Sequence, residues 1–562
     1  MSYIAIHVRY LSITIILLFT LAGCSQTTFE DYLGGWEVKI ESKEVFNFNI
    51  TLNAMDKSKV YLQIEGQSST TRLQLEQQSN QIYNGSYKNQ LNVKVDLRED
   101  IPIVFFKIGH HLCAIEITEQ KEGIWIGQWN LLITESAPFT FLMSLDINED
   151  GSGYASIFFE EPTFHYMYAD DFKLDENGFS FIDIRSRIEF KAQFQYQTID
   201  LEMKFLEEKI RLKLKPRPVS TWQLGTSNNL AKTSYNKDNT RFKSLVMDIE
   251  NDSLERTHSV VIAQKNTIIF EKYFDGFSAN TLHDTRSLAK SFASASIGIA
   301  IKEGFLKDEY LPIKPFFERS YPAIDWSKGK DSVNLFHLMT MSSGIDAIDF
   351  GLNRNSYANE GTYQNQTDWT KHILEAPMVN TPGKSANYGS GSPHLLGPIL
   401  ANQIAEELPF YLHKKLFKPL SISNYRIQLT NQSEPYFGGG WYFTSIDLVK
   451  FGQLYLNGGN YNEKQIIPKE WVEKSMQKHV VLENTFDQNK YGFLFWHKTY
   501  QINEQQIESI EARGAGGQYL FIIPELDLVA VITSGNYTNN KGFQPERIMQ
   551  DYILKEIVKL KP

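Results

Sequence analysis

The sequence D-T-R-S-L-A-K-S-F-A at residues 284–293 is the stretch that decides how this 562-residue chain folds. It places Ser287 and Lys290 three residues apart at the start of a small, apolar segment. Residues i and i+3 share one face of a helix, so the hydroxyl and the ammonium can touch. A serine is a weak nucleophile until a neighbouring base takes its proton, and a desolvated lysine can do so. The stretch therefore predicts nucleophilic serine chemistry that needs no histidine.

The same S-x-x-K spacing also occurs at Ser234–Lys237, Ser327–Lys330 and Ser475–Lys478. Their surroundings favour an aperiodic loop, a polar turn and a charged surface helix, respectively. Only Ser287 is followed by a long, weakly charged segment, F-A-S-A-S-I-G-I-A-I, which ends shortly before Gly304. A glycine at this place is typical of a helix C-terminus. We therefore expect a buried helix whose first turn presents the reactive pair; a serine cap beside a solvated lysine is the alternative.

Further motifs follow in the second half of the chain, and the segments that carry them are N-L-F-H-L-M-T-M-S-S-G-I (334–345), T-P-G-K-S-A-N-Y-G-S-G-S-P-H-L-L-G (381–397), F-G-G-G-W-Y-F-T-S-I-D-L-V-K-F-G (437–452) and A-R-G-A-G-G-Q-Y-L-F-I-I-P-E-L-D-L-V-A-V-I-T (512–533). Over about residues 240–555 their order and spacing resemble the serine β-lactamase-like family. That family includes class C β-lactamases, DD-peptidases, esterases and 6-aminohexanoate-dimer hydrolases. The Y-G-S-G and R-G-A-G-G-Q forms are most similar to the aminohexanoate-dimer hydrolase and esterase branch.

The resemblance implies an α+β catalytic domain of the β-lactamase-like or transpeptidase-like type. A helical subdomain would pack beside an antiparallel sheet flanked by helices, with the active site in the cleft. Position by position, Ser287 matches the nucleophile and Lys290 its lysine partner. Tyr388 matches the tyrosine that exchanges protons with the nucleophile and the leaving group. Ser390 takes the polar third position, from which a side chain can hydrogen-bond the lysine or the substrate.

The last motif departs from the class C pattern. Those enzymes carry a lysine or histidine on this strand, which helps to bind the substrate carboxylate, and Ala512 stands there instead. A glycine-rich strand still lets the backbone approach the substrate. We expect the oxyanion hole to pair the N–H of Ser287 with one near Ala515, in a substrate-binding segment of Gly514, Ala515, Gly516 and Gly517. A turn or bulge between strands is the alternative for these glycines.

Length and composition narrow the possible partners. At this length the chain is expected to hold two to four domains. Its net charge of −10, without a basic run, argues against nucleic acid or an anionic membrane surface as a partner. His110, His111 and Cys113 lie in a strand pattern in which consecutive residues point to opposite faces, and no partner cluster of ligands accompanies them, so packing is favoured over a metal site. We expect neither a metal nor a cofactor.

The N-terminus has the pattern of a targeting segment. An apolar run at residues 11–21 is too short for a comfortable membrane span and ends in L-A-G-C at 21–24. This resembles the bacterial lipoprotein signal, in which residues 1–23 are removed and Cys24 is lipidated. The resemblance implies a bacterial cell-envelope location with a lipid anchor in a membrane, the outer membrane if the source has two. A plain signal peptide with an incidental cysteine is the alternative.

Residues 24–220 are predicted to be β-rich and duplicated. G-x-W sequences at Trp36 and Trp129 each precede alternating strands, which divides the region at about 28–120 and 121–220. The tryptophans could stack on sugars, but core positions are favoured. Residues 221–240 are predicted to be a linker and 241–562 the hydrolase domain. We expect the β region to be a spacer or binding module, so that a chain starting near Lys232 keeps its activity.

Together these features predict an envelope-anchored serine hydrolase that cleaves an ester or amide through an acyl-enzyme on Ser287. One alternative is a DD-peptidase or β-lactamase acting on peptidoglycan peptides or β-lactams. Another is a non-catalytic envelope binding protein on a hydrolase scaffold. The expected partner is a small ester, amide or peptide substrate; the natural substrate and the oligomeric state stay open.

Overall fold

A computed structural model describes residues 29–40, 46–54, 59–88, 90–121, 123–131, 139–147, 153–159, 167–175, 177–183, 186–216, 240–352, 354–485, 487–537 and 539–559. The predicted signal peptide, Cys24 and the predicted linker up to residue 239 lie outside the described residues. The strands before the linker are β1 Gly34–Ile40, β2 Asn47–Asn53, β3 Val60–Glu65, β4 Thr70–Ser79, β5 Ile82–Tyr87, β6 Leu91–Asp96, β7 Ile103–Ile108, β8 His111–Glu116, β9 Glu119–Lys121, β10 Ile124–Asn130, β11 Phe139–Ile147, β12 Gly153–Phe159, β13 Met167–Asp175, β14 Gly178–Asp183, β15 Glu189–Gln195, β16 Thr198–Phe205 and β17 Glu208–Pro216.

The remaining strands are β18 Thr257–Gln264, β19 Thr267–Tyr273, β20 His283–Asp284, β21 Asn424–Gln428, β22 Trp441–Phe443, β23 Asn460–Tyr461, β24 Lys464–Gln465, β25 Val480–Val481, β26 Lys490–Tyr491, β27 Trp496–Ile502, β28 Gln505–Gly514, β29 Gln518–Ile523 and β30 Leu528–Ser534. The α-helices are α1 Lys243–Glu250, α2 Lys290–Lys302, α3 Lys314–Phe317, α4 Leu335–Met339, α5 Glu360–Tyr363, α6 Trp369–Glu375, α7 Gly391–His394, α8 Leu396–Ala401, α9 Leu408–Leu412, α10 Ser445–Leu456, α11 Lys469–Ser475, α12 Gln544–Ile548 and α13 Lys555–Val558. None of the helices within the described residues is both long enough and apolar enough to cross a membrane.

The second half of the β-rich region is a closed barrel. Strands β11 to β17 pair antiparallel in sequence order, and β1 closes the ring between β11 and β17. Side chains alternate between core and surface, as β16 shows, because successive residues of a strand point to opposite faces. Closure leaves no unpaired edge in this barrel.

The two halves of the β-rich region exchange their first strands. Strand β1, which carries Trp36, pairs with β11 of the second half, and Trp36 lies opposite Met143. Strand β10, which carries Trp129, pairs with β2 of the first half, and Trp129 lies opposite Phe48. Both tryptophans are core residues, with 4% and 3% of their surface exposed, as the sequence favoured. The exchange ties the two halves together through equivalent strands.

The first half is an open, curled sheet that continues into the second half of the chain. Its strand β8 pairs with β21, and β22 and β20 extend the same sheet. Arg426, which lies on β21, reaches the β-rich region: its guanidinium donates a 2.8 Å hydrogen bond to the carbonyl oxygen of Leu131. Phe105 packs edge-to-face on Phe410 with ring centroids 5.0 Å apart. The expectation that the β region is a separable spacer does not agree with this shared sheet and core.

The catalytic part is built on an antiparallel sheet in the order β19-β18-β30-β29-β28-β27-β26-β25. Every residue of β30 is buried, because α10 covers one face and the C-terminal helices cover the other. Helix α2 is buried from Lys290 through Ala300, which explains its small, weakly charged sequence. It ends at Lys302, and Gly304 adopts a φ of 79°, as the glycine position predicts. The architecture confirms the predicted α+β, β-lactamase-like fold class.

Candidate active site

The turn that carries Ser287 is a 3-10 segment, Arg286–Ala289, immediately before α2. Arg286 has a left-handed φ of 51°, a conformation that costs free energy in a non-glycine residue and is common at functional sites. Asp284 holds it there: one carboxylate oxygen accepts the Arg286 N–H at 3.0 Å and the other lies 3.0 Å from its guanidinium Nε. The turn leaves Ser287 partly exposed while the helix behind it is buried.

Lys290 is buried, with 1% of its surface exposed, and its side-chain nitrogen contacts the predicted nucleophile. Its Nζ lies 2.8 Å from Ser287 Oγ, 3.0 Å from Ser390 Oγ and 2.5 Å from the carbonyl oxygen of Gly438. These three oxygens fix the direction of the amine. The structure therefore brings Ser287, Lys290 and Ser390 together.

A carboxylate that the sequence did not indicate completes this chain of hydrogen bonds. The Ser390 hydroxyl donates to Asp349 Oδ2 at 2.7 Å, so Asp349 is linked to Lys290 through one hydroxyl. The loop of Asp349 can approach because residue 389 is glycine: a Cβ there would lie 1.9 Å from the carbonyl oxygen of Ala347. The middle residue of Y-G-S is thus required by close packing.

The surroundings of Asp349 disfavour its charge. Burial and the nearby Glu360 carboxylate raise its pKa to about 6, against the opposing effects of Lys290 and the hydrogen bond from Ser390. The Glu360 N–H donates to Asp349 Oδ1 at 3.0 Å, and the Tyr436 hydroxyl donates to the Glu360 carboxylate at 2.6 Å. The charged form of Asp349 is therefore less favoured than that of a solvent-exposed aspartate.

Tyr388 lies against the same lysine. The Lys290 Nζ is 5.2 Å from the centroid of the Tyr388 ring. Asn484 fixes the tyrosine backbone, because its side chain accepts from the Tyr388 N–H at 2.7 Å and donates to the Tyr388 carbonyl at 3.1 Å. The ring packs between Phe350 and Trp496, at centroid distances of 5.4 and 4.9 Å. The structure thus places the predicted tyrosine at the site.

The glycine-rich end of β28 reaches the nucleophile turn. Gly514 packs so closely that a Cβ there would lie 2.1 Å from the Thr285 carbonyl oxygen. Ala515 follows it and is exposed. Gly516 and Gly517 have φ values of 80° and 88° and form the turn into β29, so they shape the hairpin behind the site. The oxyanion role of the Ser287 and Ala515 N–H groups stays a prediction.

Arg513 is engaged by acidic side chains. Its guanidinium lies 2.7 Å from Glu511 and 3.0 Å from Glu546, and it stacks over Trp496. Burial lowers the pKa of Arg513, but the two carboxylates outweigh burial and hold the pKa above its ordinary value. Its charge is therefore balanced locally, and Ala512 contributes none.

Sequence reasoning missed Asp349, the Gly438 carbonyl, Asn484, Phe350 and Trp496. Each acts through a long-range contact that no spacing rule encodes. The glycine run F-G-G-G was the only local signal, since it marks a backbone that approaches another group closely. No cluster of histidine, cysteine, aspartate and glutamate within the described residues could hold a metal ion.

Comparison with known proteins identifies the family of this chain. The family model described as Beta-lactamase matches residues 249–555, more than half of the chain. An uncharacterized protein of Alkalihalophilus pseudofirmus is 21% identical over 304 residues, which cover 51% of this chain and 85% of that protein. Among solved structures, a protein from Bacillus anthracis provisionally named a 6-aminohexanoate-dimer hydrolase is 23% identical, with a TM-score of 0.47, and the match covers 57% of this chain and 83% of that one. An octameric penicillin-binding protein homologue from Pyrococcus abyssi is 18% identical, with a TM-score of 0.45 and coverage of 57% and 78%. The chain therefore belongs to the beta-lactamase family of serine hydrolases.

Proposed function

We propose that the chain cleaves an ester or amide through an acyl-enzyme on Ser287. The observation that carries the proposal is the 2.8 Å contact between Lys290 Nζ and Ser287 Oγ, with Lys290 buried and Ser287 partly exposed. A nucleophile and its base must lie within hydrogen-bond reach, and the base must in turn be oriented by a third group. Ser390 and the Gly438 carbonyl provide that orientation.

The proposed reaction has two half-reactions. Lys290 takes the Ser287 proton as Oγ bonds to the carbonyl carbon, and the resulting oxyanion is stabilised by the N–H groups of Ser287 and Ala515. The proton then passes through Tyr388 to the leaving alcohol or amine as the carbonyl–leaving group bond breaks. Water attacks the acyl-enzyme by the reverse proton path and releases the acid and free Ser287. Each oxyanion donor contributes about 2.7–4 kcal/mol of transition-state stabilisation.

The charges around the site favour a neutral substrate over one with a carboxylate. In class C enzymes a cation on the strand beside the nucleophile helps to bind the substrate carboxylate, and Ala512 occupies that place. Arg513 is held by Glu511 and Glu546, and Arg286 by Asp284. Simple esters should therefore be turned over faster than D-Ala-D-Ala peptides or cephalosporins.

The rim beside Tyr388 is apolar. Phe350 stacks on Tyr388 yet leaves 46% of its surface exposed, and Leu352 in the same loop leaves 37% exposed. The Phe350 carbonyl accepts a 3.0 Å hydrogen bond from Asn484, which keeps the loop beside the tyrosine. This apolar surface favours the binding of a substrate with an apolar acyl or alcohol group. Each Å² of apolar surface buried on binding contributes about 25 cal/mol to the binding free energy.

The cell-envelope location is part of the proposal. The L-A-G-C sequence supports lipidation of Cys24 and attachment to a bacterial membrane by the lipid anchor. Several acyl chains are needed for firm anchoring, at about 0.8 kcal/mol per buried CH₂.

The test measures the turnover of a panel of substrates by the purified chain lacking its first 24 residues. The panel should contain p-nitrophenyl esters of increasing acyl length, matched anilides, a D-Ala-D-Ala peptide and a cephalosporin. We expect the esters to be fastest and Ser287→Ala to abolish their turnover. Faster turnover of the D-peptide or cephalosporin would establish the peptidoglycan alternative. Absence of turnover and of any acyl adduct would support a binding protein.

A further inference from the structure

A large polar cleft lies between the open β-sheet and the catalytic part, away from the Ser287 turn. Its volume is about 890 Å³, within the range of about 300–1,000 Å³ that ligand sites occupy. One wall is a face of strands β4 to β8, and the other is α9 with the segment around Leu429 and Ser433. Ligand sites are frequent at such junctions between structural units.

The sheet wall of the cleft carries polar side chains in register on neighbouring strands. In one row, Glu76 lies opposite Asn84, and Asn84 lies opposite Lys94. In the next row, Ser86 lies opposite Asn92. Side chains directly opposite each other stand about 5 Å apart, so the rows present hydrogen-bonding groups at regular intervals.

The cleft is rich in amides and close to neutral. Its described lining contains amide side chains on three adjacent strands, namely Gln74, Gln77, Gln78, Asn84 and Asn92. Its charged residues are Glu76, Lys94, Lys107 and Glu407. Lys94 pairs with Glu407, and the Lys107 ammonium is held by the Ser433 hydroxyl. The lining therefore offers little net charge to an anionic ligand.

Amide groups both donate and accept hydrogen bonds, as a ligand with many hydroxyl groups requires. The side chain of Asn84 has one acceptor atom that no described residue uses. Its Nδ2 donates to Gln78 Oε1 at 2.7 Å, whereas its Oδ1 accepts no hydrogen bond from any described residue. Because Oδ1 is shielded from solvent, the side chain must rotate before a ligand hydroxyl can donate to it.

We propose that this cleft binds a neutral oligosaccharide. The regular rows of hydrogen-bonding side chains, with an amide in each, suit the repeating hydroxyl groups of such a chain, and the balanced charges disfavour nucleic acid and acidic glycans. An extended peptide prefers the edge of a sheet, where main-chain groups are free to pair. This wall instead presents the face of strands that are paired on both sides.

The test is isothermal titration calorimetry of the same truncated chain with cellohexaose, maltohexaose and chitohexaose. Hexagalacturonate, an acidic oligosaccharide, and a neutral hexapeptide are titrated separately for comparison. We expect at least one neutral hexasaccharide to bind, and Asn84→Ala and Asn92→Ala each to weaken that binding about tenfold, the loss that corresponds to one hydrogen bond of about 1.4 kcal/mol. Gln120→Ala, an exposed amide on β9 outside the cleft, is the matched control and should bind as the unaltered chain does.

The result is independent of the proposed hydrolase activity, because none of these residues touches Ser287, Lys290 or Tyr388. Unchanged unfolding temperatures of the Asn84 and Asn92 variants would show that lost binding is local. Failure of all three neutral hexasaccharides to bind would overturn the proposal. Tighter binding of hexagalacturonate or of the peptide, or binding that both asparagine variants leave unaltered, would overturn it as well.

Discussion

Replacing Asp349 by asparagine tests whether a buried carboxylate supports the Ser287–Lys290 pair. The asparagine side chain keeps the size and can still accept the hydrogen bond from Ser390, so mainly the charge changes. During acylation Lys290 gains a proton, and a carboxylate behind Ser390 stabilises the ammonium that forms. Asp349 does not touch the substrate in this account; it acts through Ser390 and Lys290.

The magnitude follows from two distances. Because Ser390 Oγ lies 2.7 Å from Asp349 Oδ2 and 3.0 Å from Lys290 Nζ, the two charges are at most about 6 Å apart, and at an effective dielectric constant of about 20 they attract by about 3 kcal/mol. We therefore expect Asp349→Asn to lower kcat for an ester by roughly a hundredfold at pH 8. KM should change little, since ground-state substrate binding does not involve this charge.

The pH profile separates this role from a structural one. The pKa of Asp349 is raised from 3.8 to about 6, so its stabilising contribution to folding is present below pH 4 and is lost as pH rises through about 6. Activity should do the opposite and rise as the carboxylate forms near pH 6. Asp349→Asn should remove this inflection while folding at least as stably as the unaltered chain at pH 8, because it cannot carry the disfavoured charge.

Glu360→Gln is the matched control, since it removes the repelling charge and can keep the Tyr436 hydrogen bond. Its activity inflection should move to lower pH, and its rate at pH 8 should stay close to that of the unaltered chain. If Asp349→Asn keeps both the inflection and the rate, Asp349 has no part in catalysis and the reasoning is refuted.

Three further outcomes are expected. Lys290→Ala and Tyr388→Phe should each be severely impaired in ester turnover, and the double variant little worse than either, because members of one proton-transfer unit fail together; additive losses would contradict this. A chain starting near Lys232 should aggregate, because the loss of β8 leaves one edge of β21 unpaired and exposes Phe410; a soluble monomer with full activity would show that the shared sheet is dispensable. Cys24→Ser should release the full-length protein from the membrane fraction, and unchanged fractionation would rule out the lipid anchor.

The sequence predicted the parts of the site that depend on local spacing. Ser287 and Lys290 are one helical turn apart, so their contact follows from backbone geometry alone. Tyr388 and Ser390 were placed through the resemblance to a family rather than through any physical rule. Asp349 could not be placed, because it reaches Ser390 only after two loops distant in sequence pack through Gly389.

In the β-rich region, too, local features could be predicted from the sequence and long-range pairings could not. Alternating strands and the buried Trp36 and Trp129 could be predicted, because period-two patterns separate core from surface. The pattern does not say which strand is the neighbour of which, so the exchange of β1 and β10 was not foreseen. The pairing of β8 with β21 joins segments about 300 residues apart, and a strand edge carries no sequence label for its partner.

Peptide mass spectrometry after reaction with a fluorophosphonate shows which residue becomes acylated. We expect a single adduct, on the peptide that carries Ser287. Ser287→Ala should give no adduct, and its ester turnover should fall by a factor on the order of 10⁶. An adduct on another serine, or Ser287→Ala with undiminished turnover, would show that Ser287 is not the nucleophile.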